Sequence, residues 1–347
     1  MRGAIIKRLA LVIMILASLD LVYRFTLYED DLARQSPEIL QIRKSQPSAD
    51  IFYFGESSNV TYAPYDTVRR SISDLIAGSF PGLSIITINK YATHAGIYRE
   101  WLEQVDLPAD KPRAVIVTMN LRSFDAAWIH SKLETALRQS LVLAKPYPPL
   151  LNRFLLSLGA FDDKTEAERE HDMRKIWRSE KLQFPFDFPY ASVAEWDRAM
   201  ANGGYLKPDG SWDIKKIELA CHYIKAYAFN INGDNPRLKD FDAIARWSAD
   251  NGIPVYFNLL SENVSFADSL VGRELVFLMR QNRDFLVRRY NKGNCVVVDN
   301  LERVDKSSFI DKDWTTEHYD YPGRLAIARH VSDSISRQFS NKINNTN

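Results

Sequence analysis

The sequence predicts an α/β protein with a central parallel five-stranded sheet, and three observations carry that prediction. Short apolar runs recur at 50–54, 83–88, 114–119, 254–259 and 295–298. Segments with helical apolar spacing separate most of them, the alternation that a parallel sheet with right-handed crossovers requires. Four of the five runs also lead into loops that carry polar residues: Ser57, Gly96, Asn120 and His318. A parallel sheet gathers such loops at one edge, where open α/β proteins bind their ligands.

Taken in order, the chain starts with Arg2, Lys7 and Arg8 around an apolar run at 9–19, which Asp20 interrupts. A basic start favours retention of that end in the cytoplasm. The expectation is a signal anchor over 1–25 in the inner membrane, with the remaining chain extracytoplasmic. An amphipathic or buried N-terminal helix is one alternative, and cleavage as a signal peptide is the other, although no Ala-x-Ala site follows. Residues 26–47 are polar and read as a juxtamembrane linker. The first strand ends at Gly55, and 67–80 has helical spacing through Val68, Ile72, Leu75 and Ile76. A helix over 97–105 leads to the third strand.

The alternation then stops. Residues 126–232 are too many for a connection and predict a mostly helical cap, with helices at 128–144, 150–158, 164–181 and 217–229. Pro146, Pro148 and Pro149 separate the first two. The aromatic stretch 184–190 is expected to pack within the cap, with stacking on a sugar as the other use. Helices at 237–250, 270–290 and 325–339 resume the pattern. The α/β domain is thus predicted from 48–125 and 233–340.

Composition excludes several classes. There are 45 basic and 44 acidic residues, so no concentrated charge argues for nucleic acid. Cys221 and Cys295 lack metal-ligand spacing, and Cys295 is expected as a buried free thiol. The turn after the first strand has one glycine and is no phosphate cradle. No metal and no cofactor is expected.

Serine-dependent acyl chemistry needs a hydroxyl nucleophile, a base and oxyanion donors. Ser57, in Gly55-Glu56-Ser57-Ser58-Asn59, follows a strand and precedes a helix. His318 lies after the fifth strand, Gly96 offers a backbone N–H and Asn120 a side-chain N–H. His94 is the one other histidine placed to compete for a role in the cleft. The bland alternative makes each of these a turn or capping residue.

In this order the residues resemble the SGNH (GDSL-like) hydrolases and acyltransferases. Gly55-Glu56-Ser57 stands where that family has Gly-Asp-Ser. Residues 89–96 resemble its second block, Met119-Asn120 its third, and His318-Tyr-Asp-Tyr-Pro-Gly-Arg its last. The resemblance covers 48–125 and 236–340 and implies a flavodoxin-like three-layer fold, with Ser57 as nucleophile, His318 as base, and Gly96 and Asn120 in the oxyanion hole. The family's aspartate three residues before the histidine is Thr315 here. Asp313 is the preferred substitute, with Asp311 and Glu317 as alternatives. The third block also lacks its usual preceding glycine. The expected function is a membrane-anchored esterase or O-acyltransferase acting on an acylated envelope glycan or a small ester. The alternative is a non-catalytic accessory module that binds an envelope polymer or a membrane-protein partner.

Overall fold

The computed structural model describes residues 2–105, 107 and 111–344. Its centre is a five-stranded, all-parallel sheet: β1 Ile51–Gly55, β2 Ile85–Asn89, β3 Ala114–Met119, β4 Val255–Leu259 and β5 Cys295–Asp299. The strand order is β2-β1-β3-β4-β5, the doubly wound order whose switch point lies beside β1. Gly55 pairs with Asn89 on one side of β1, and Phe54 with Val117 on the other. The loops that follow β1, β2 and β3 therefore leave the same edge.

Sixteen helices surround the sheet among the described residues. The first three are α1 Arg2–Thr26, α2 Tyr28–Gln35 and α3 Pro37–Ser45. Next come the single turn α4 Ser57–Val60, then α5 Ile72–Ser79 and α6 Ala95–Leu102. The cap holds α7 Ala126–Ile129, α8 Leu133–Gln139, α9 Pro149–Ser157, α10 Glu166–Ser179, α11 Val193–Gly203 and α12 Ile214–Tyr227. The remaining helices are α13 Pro236–Asn251, α14 Val264–Leu270, α15 Arg273–Tyr290 and α16 Tyr321–Asn344.

Alternation along the strands decides the layers. Ile51, Tyr53, Ala114, Ile116 and Tyr256 point to the face covered by α5 and α16. Phe52, Phe54, Val115, Val117 and Phe257 point to the other face, packed with residues of α6, α13 and α15. Both faces are dry, which is why the strands read as nearly unbroken apolar runs.

Several boundaries differ from expectation for physical reasons. The helix expected over 67–80 starts at Ile72, where Ser71 and Asp74 form a reciprocal capping box. Residues before it are held out of the helix by Arg324, whose guanidinium has no solvent exposure. It donates to the carbonyls of Val68 (3.0 Å) and Arg70 (3.0 Å) and to the Asp66 carboxylate (2.9 Å). The helix expected over 270–290 is divided at Gly272, whose φ of 124° suits glycine. The expected 128–144 helix is two short ones. In the aromatic stretch, Phe184 packs on Phe186, Phe188 and Phe277, a use within the fold. Both cysteines are buried and free.

The N-terminal segment is a continuous helix, but the anchor expected over 1–25 is not supported: no helix among the described residues is long and apolar enough to cross a membrane. Lys7, Arg8, Asp20 and Arg24 leave only 9–19 free of charge, about half the run a bilayer requires.

Candidate active site

The β1 turn is built to hold Ser57 tightly. A Cβ on Gly55 would lie 2.7 Å from Asn89 Oδ1 and 2.8 Å from the Tyr53 ring, so only glycine lets β1 and β2 approach here. Asn59 fixes the far side. Its Oδ1 accepts from Ser73 N at 2.9 Å, and its Nδ2 donates to Ser73 Oγ at 3.1 Å. Ser57 is half-buried at the first position of α4, where backbone N–H groups have no intrahelical carbonyl to bond.

The loop after β5 brings the histidine to the serine. His318 Nε2 lies 3.0 Å from Ser57 Oγ. His318 Nδ1 lies 2.6 Å from Asp311 Oδ2. A carboxylate can only accept, so Nδ1 carries the proton and the Nε2 lone pair faces the serine hydroxyl. Nucleophile, base and orienting acid stand in one hydrogen-bonded line.

Asp311 replaces the expected Asp313. Asp313 is exposed and pairs with Lys215 at 2.9 Å, away from the imidazole. The cause is local pairing that a count along the chain does not reveal. Phe309 and Tyr319 form an antiparallel bridge, Ile310 N donates to His318 O at 2.9 Å, and Asp320 N donates to Ser308 O at 2.9 Å. This closure sets Asp311 across from His318, although seven residues separate them in sequence.

The two expected oxyanion donors are already engaged. Asn120 Nδ2 donates to Glu56 Oε1 at 3.1 Å and to Glu317 Oε2 at 3.0 Å, which uses both of its hydrogens. Gly96 N donates to His94 Nδ1 at 3.1 Å, in a separate cluster with Glu134 and Arg237. The donors left at the serine are the first backbone N–H groups of α4.

Beneath the triad lies a charge network that reading along the chain did not find. Arg122 is buried and pairs with Glu317 at 3.0 Å, while its other arm donates to Thr315 Oγ1 at 3.1 Å. Thr315 Oγ1 also meets His222 Nε2 at 2.7 Å, and the His222 ring stacks on Trp314. Thus the residue that stands where the family has aspartate serves as a link between the cap and β3. Glu317, one of the alternative acids, points into this network, away from His318 Nδ1. Burial, reinforced by the Glu317 charge, pushes Glu56 up to about 7 against the help of Asn120. Burial and the same charge also push Glu262 well above the usual carboxylate range, while Tyr227 donates to it at 2.6 Å. Burial would lower Arg122, but the surrounding acidic groups together, Glu317 first, outweigh it and keep the guanidinium charged. The signal in the sequence was faint: Arg122 follows a strand-end asparagine and Glu317 precedes a histidine, and only the fold joins them.

No cluster of metal-ligating residues occurs among the described residues. The fold and site together define a doubly wound α/β protein carrying a Ser–His–Asp triad at its switch point. No family model matches the chain, and no curated protein matches it. Solved structures match the chain at low similarity, two of them as follows. One is titled a "putative platelet activating factor" from Streptococcus pneumonia, with 12% identity, 90% of this chain and 98% of that chain covered, and a TM-score of 0.37. The other is a lipase/acylhydrolase from Enterococcus faecalis, with 8% identity, 83% and 95% covered, and a TM-score of 0.34. Likenesses this slight carry no argument, so the reading below rests on the site.

Proposed function

We propose that the chain is a serine-dependent ester hydrolase or O-acyltransferase of the SGNH type, working on an acylated envelope glycan at the inner membrane. The observation that carries this reading is the line Asp311–His318–Ser57, with contacts of 2.6 and 3.0 Å. Ser57 Oγ attacks the acyl carbonyl as His318 Nε2 takes its proton. The first N–H groups of α4 face the developing oxyanion. Collapse expels the alcohol, which leaves with the proton from His318, and the acyl group stays on Ser57. Water or a sugar hydroxyl then gives its proton to His318 and takes the acyl group, and His318 returns that proton to Ser57 Oγ as the acyl–oxygen bond breaks. The accessory-module alternative drew its force from Thr315, and Asp311 supplies the acid that Thr315 cannot.

A fluorophosphonate probe tests the proposal on the full chain. Labelling is expected at Ser57 and lost in Ser57→Ala and His318→Ala. A folded chain that resists the probe and cleaves no acetyl ester would sink the catalytic reading and favour the accessory module.

A further inference from the structure

The surface formed by α1 and α9 has a composition unlike the rest of the exterior. Along α1, consecutive residues Leu11, Val12, Ile13, Met14, Ile15 and Leu16 are each at least half exposed. They cover every side of the helix, so no single stripe faces a partner. On α9 and its C-cap, Leu151, Phe154 and Leu158 are also exposed, at the i, i+3 and i+7 spacing of one stripe, whereas Asn152 and Leu156 face the core. α9 is therefore apolar on two faces, and only one of them is used within the fold.

The two helices are fixed to each other. Leu150 N donates to Asp20 Oδ1 at 2.8 Å, which joins α9 to α1, and Arg153 pairs with Asp31 of the adjoining α2 at 3.0 Å. Between them runs an apolar groove of about 1030 Å³, lined by Ile13, Leu16, Leu21, Leu151 and Phe154.

We infer that α9 is a second lipid-contacting element, seated with α1 in the same leaflet of a phospholipid bilayer. A second copy of the chain would cover one stripe of α1, whereas hydrocarbon covers all of them. The charge-free run 9–19 is about 16 Å long at 1.5 Å per residue, too short to cross the hydrocarbon core, so α1 lies slanted within one leaflet with both charged ends at its surface. Charges fit the same occupant. Lys7 and Arg8 flank the run at one end and Arg24 and Arg153 at the other, where they meet lipid phosphates. The α9 stripe fixes the height of the α/β domain above the lipid, which a single flexible tether would not.

The experiment uses the full chain with Phe154→Cys or Leu158→Cys carrying an environment-sensitive fluorophore; the native cysteines are buried. Lys207→Cys, in the turn between α11 and α12, is the control. With vesicles of seven parts phosphatidylcholine to three parts phosphatidylglycerol, the expectation at 154 and 158 is a blue shift and at least a twofold rise in emission. Nitroxide-bearing acyl chains should quench both, and the control should not respond. Leu151→Glu with Phe154→Glu should weaken vesicle partition at least tenfold and leave fluorophosphonate labelling in detergent unchanged. Three results would overturn the inference: no vesicle binding, binding with water-like emission at 154 and 158, or a vesicle-free dimer of the Phe154→Cys chain cross-linked through the introduced thiol.

Discussion

Among the described residues two histidines pair with carboxylates, His318 with Asp311 and His94 with Glu134, and the first alone is wired for chemistry. His318 Nδ1 meets Asp311 at 2.6 Å, and its other nitrogen faces the Ser57 hydroxyl at 3.0 Å. His94 Nε2 lies 2.9 Å from Glu134, but its Nδ1 accepts the N–H of Gly96 at the start of α6. Burial, aided by the Arg237 charge, lowers His94 to about 4 despite Glu134, so it is neutral, with Nδ1 taken by the Gly96 N–H and Nε2 turned toward Glu134. The same parts thus give a base in one place and a helix cap in the other. What decides is the partner of the second nitrogen and whether solvent reaches it. His318 keeps a fifth of its side chain exposed, and His94 almost none.

The sharpest way to break this comparison is to remove each centre in turn. Ser57→Ala or His318→Ala should lower acetyl-ester turnover by on the order of 10⁴-fold or more, as loss of a triad member does elsewhere. His94→Gln should leave turnover within about twofold. A large loss of turnover in a folded His94→Gln protein would erase the distinction. Next in size is the orienting acid. Asp311→Asn should cost about 10³–10⁴-fold in kcat by favouring the wrong imidazole tautomer. Asp313→Asn should cost nothing measurable, because that carboxylate is exposed and paired with Lys215. The reverse ranking would restore Asp313 as the acid.

These two aspartates show how much the sequence reveals. Strands, layers and the Ser57 turn were legible because burial on both faces leaves long apolar runs, and Gly55 marks a close approach. His318 was legible because a parallel order sends its loop to the same edge. The acid was not, because its placement depends on the Phe309–Tyr319 bridge, and one residue pair leaves almost no pattern. Asn120 misled for a related reason. A strand-end asparagine is a donor in any reading, but its two acceptors, Glu56 and Glu317, come from distant segments. Gly96 was legible as a turn glycine, and its capping partner His94 settles which turn.

A third, smaller effect tests the network under the triad. Arg122→Met leaves Glu317 buried without its cation, which should cost about 3–5 kcal/mol of stability in a denaturant titration. Adding Glu317→Gln should recover part of that loss. If Arg122→Met alone is neutral, the network does not brace the His318 loop, and the cap link through Thr315 and His222 loses its purpose.

The smallest effect separates the two regions by the sign of their pH dependence. Glu56 has its folded value raised from 4.5 to about 7, so the folded state holds a proton the unfolded chain has lost. Its contribution to stability is present below about pH 4.5 and is lost as pH rises through 7. His94 has its folded value lowered from 6.5 to about 4, so the unfolded chain binds the extra proton. Its contribution is present above 6.5 and is lost as pH falls through 4. Glu134, held down near 2 by His94 and Arg237 against its burial, acts in the same direction as His94 at lower pH. Unfolding midpoints measured from pH 4 to 8 should therefore shift in opposite senses. Relative to the native chain, Glu56→Gln should gain stability as pH rises from 4.5 to 7, because it no longer carries a carboxyl that ionises there. His94→Gln should lose stability over the same range, because the native chain gains and the variant does not. Parallel curves for both variants would mean that neither buried group titrates as its surroundings require.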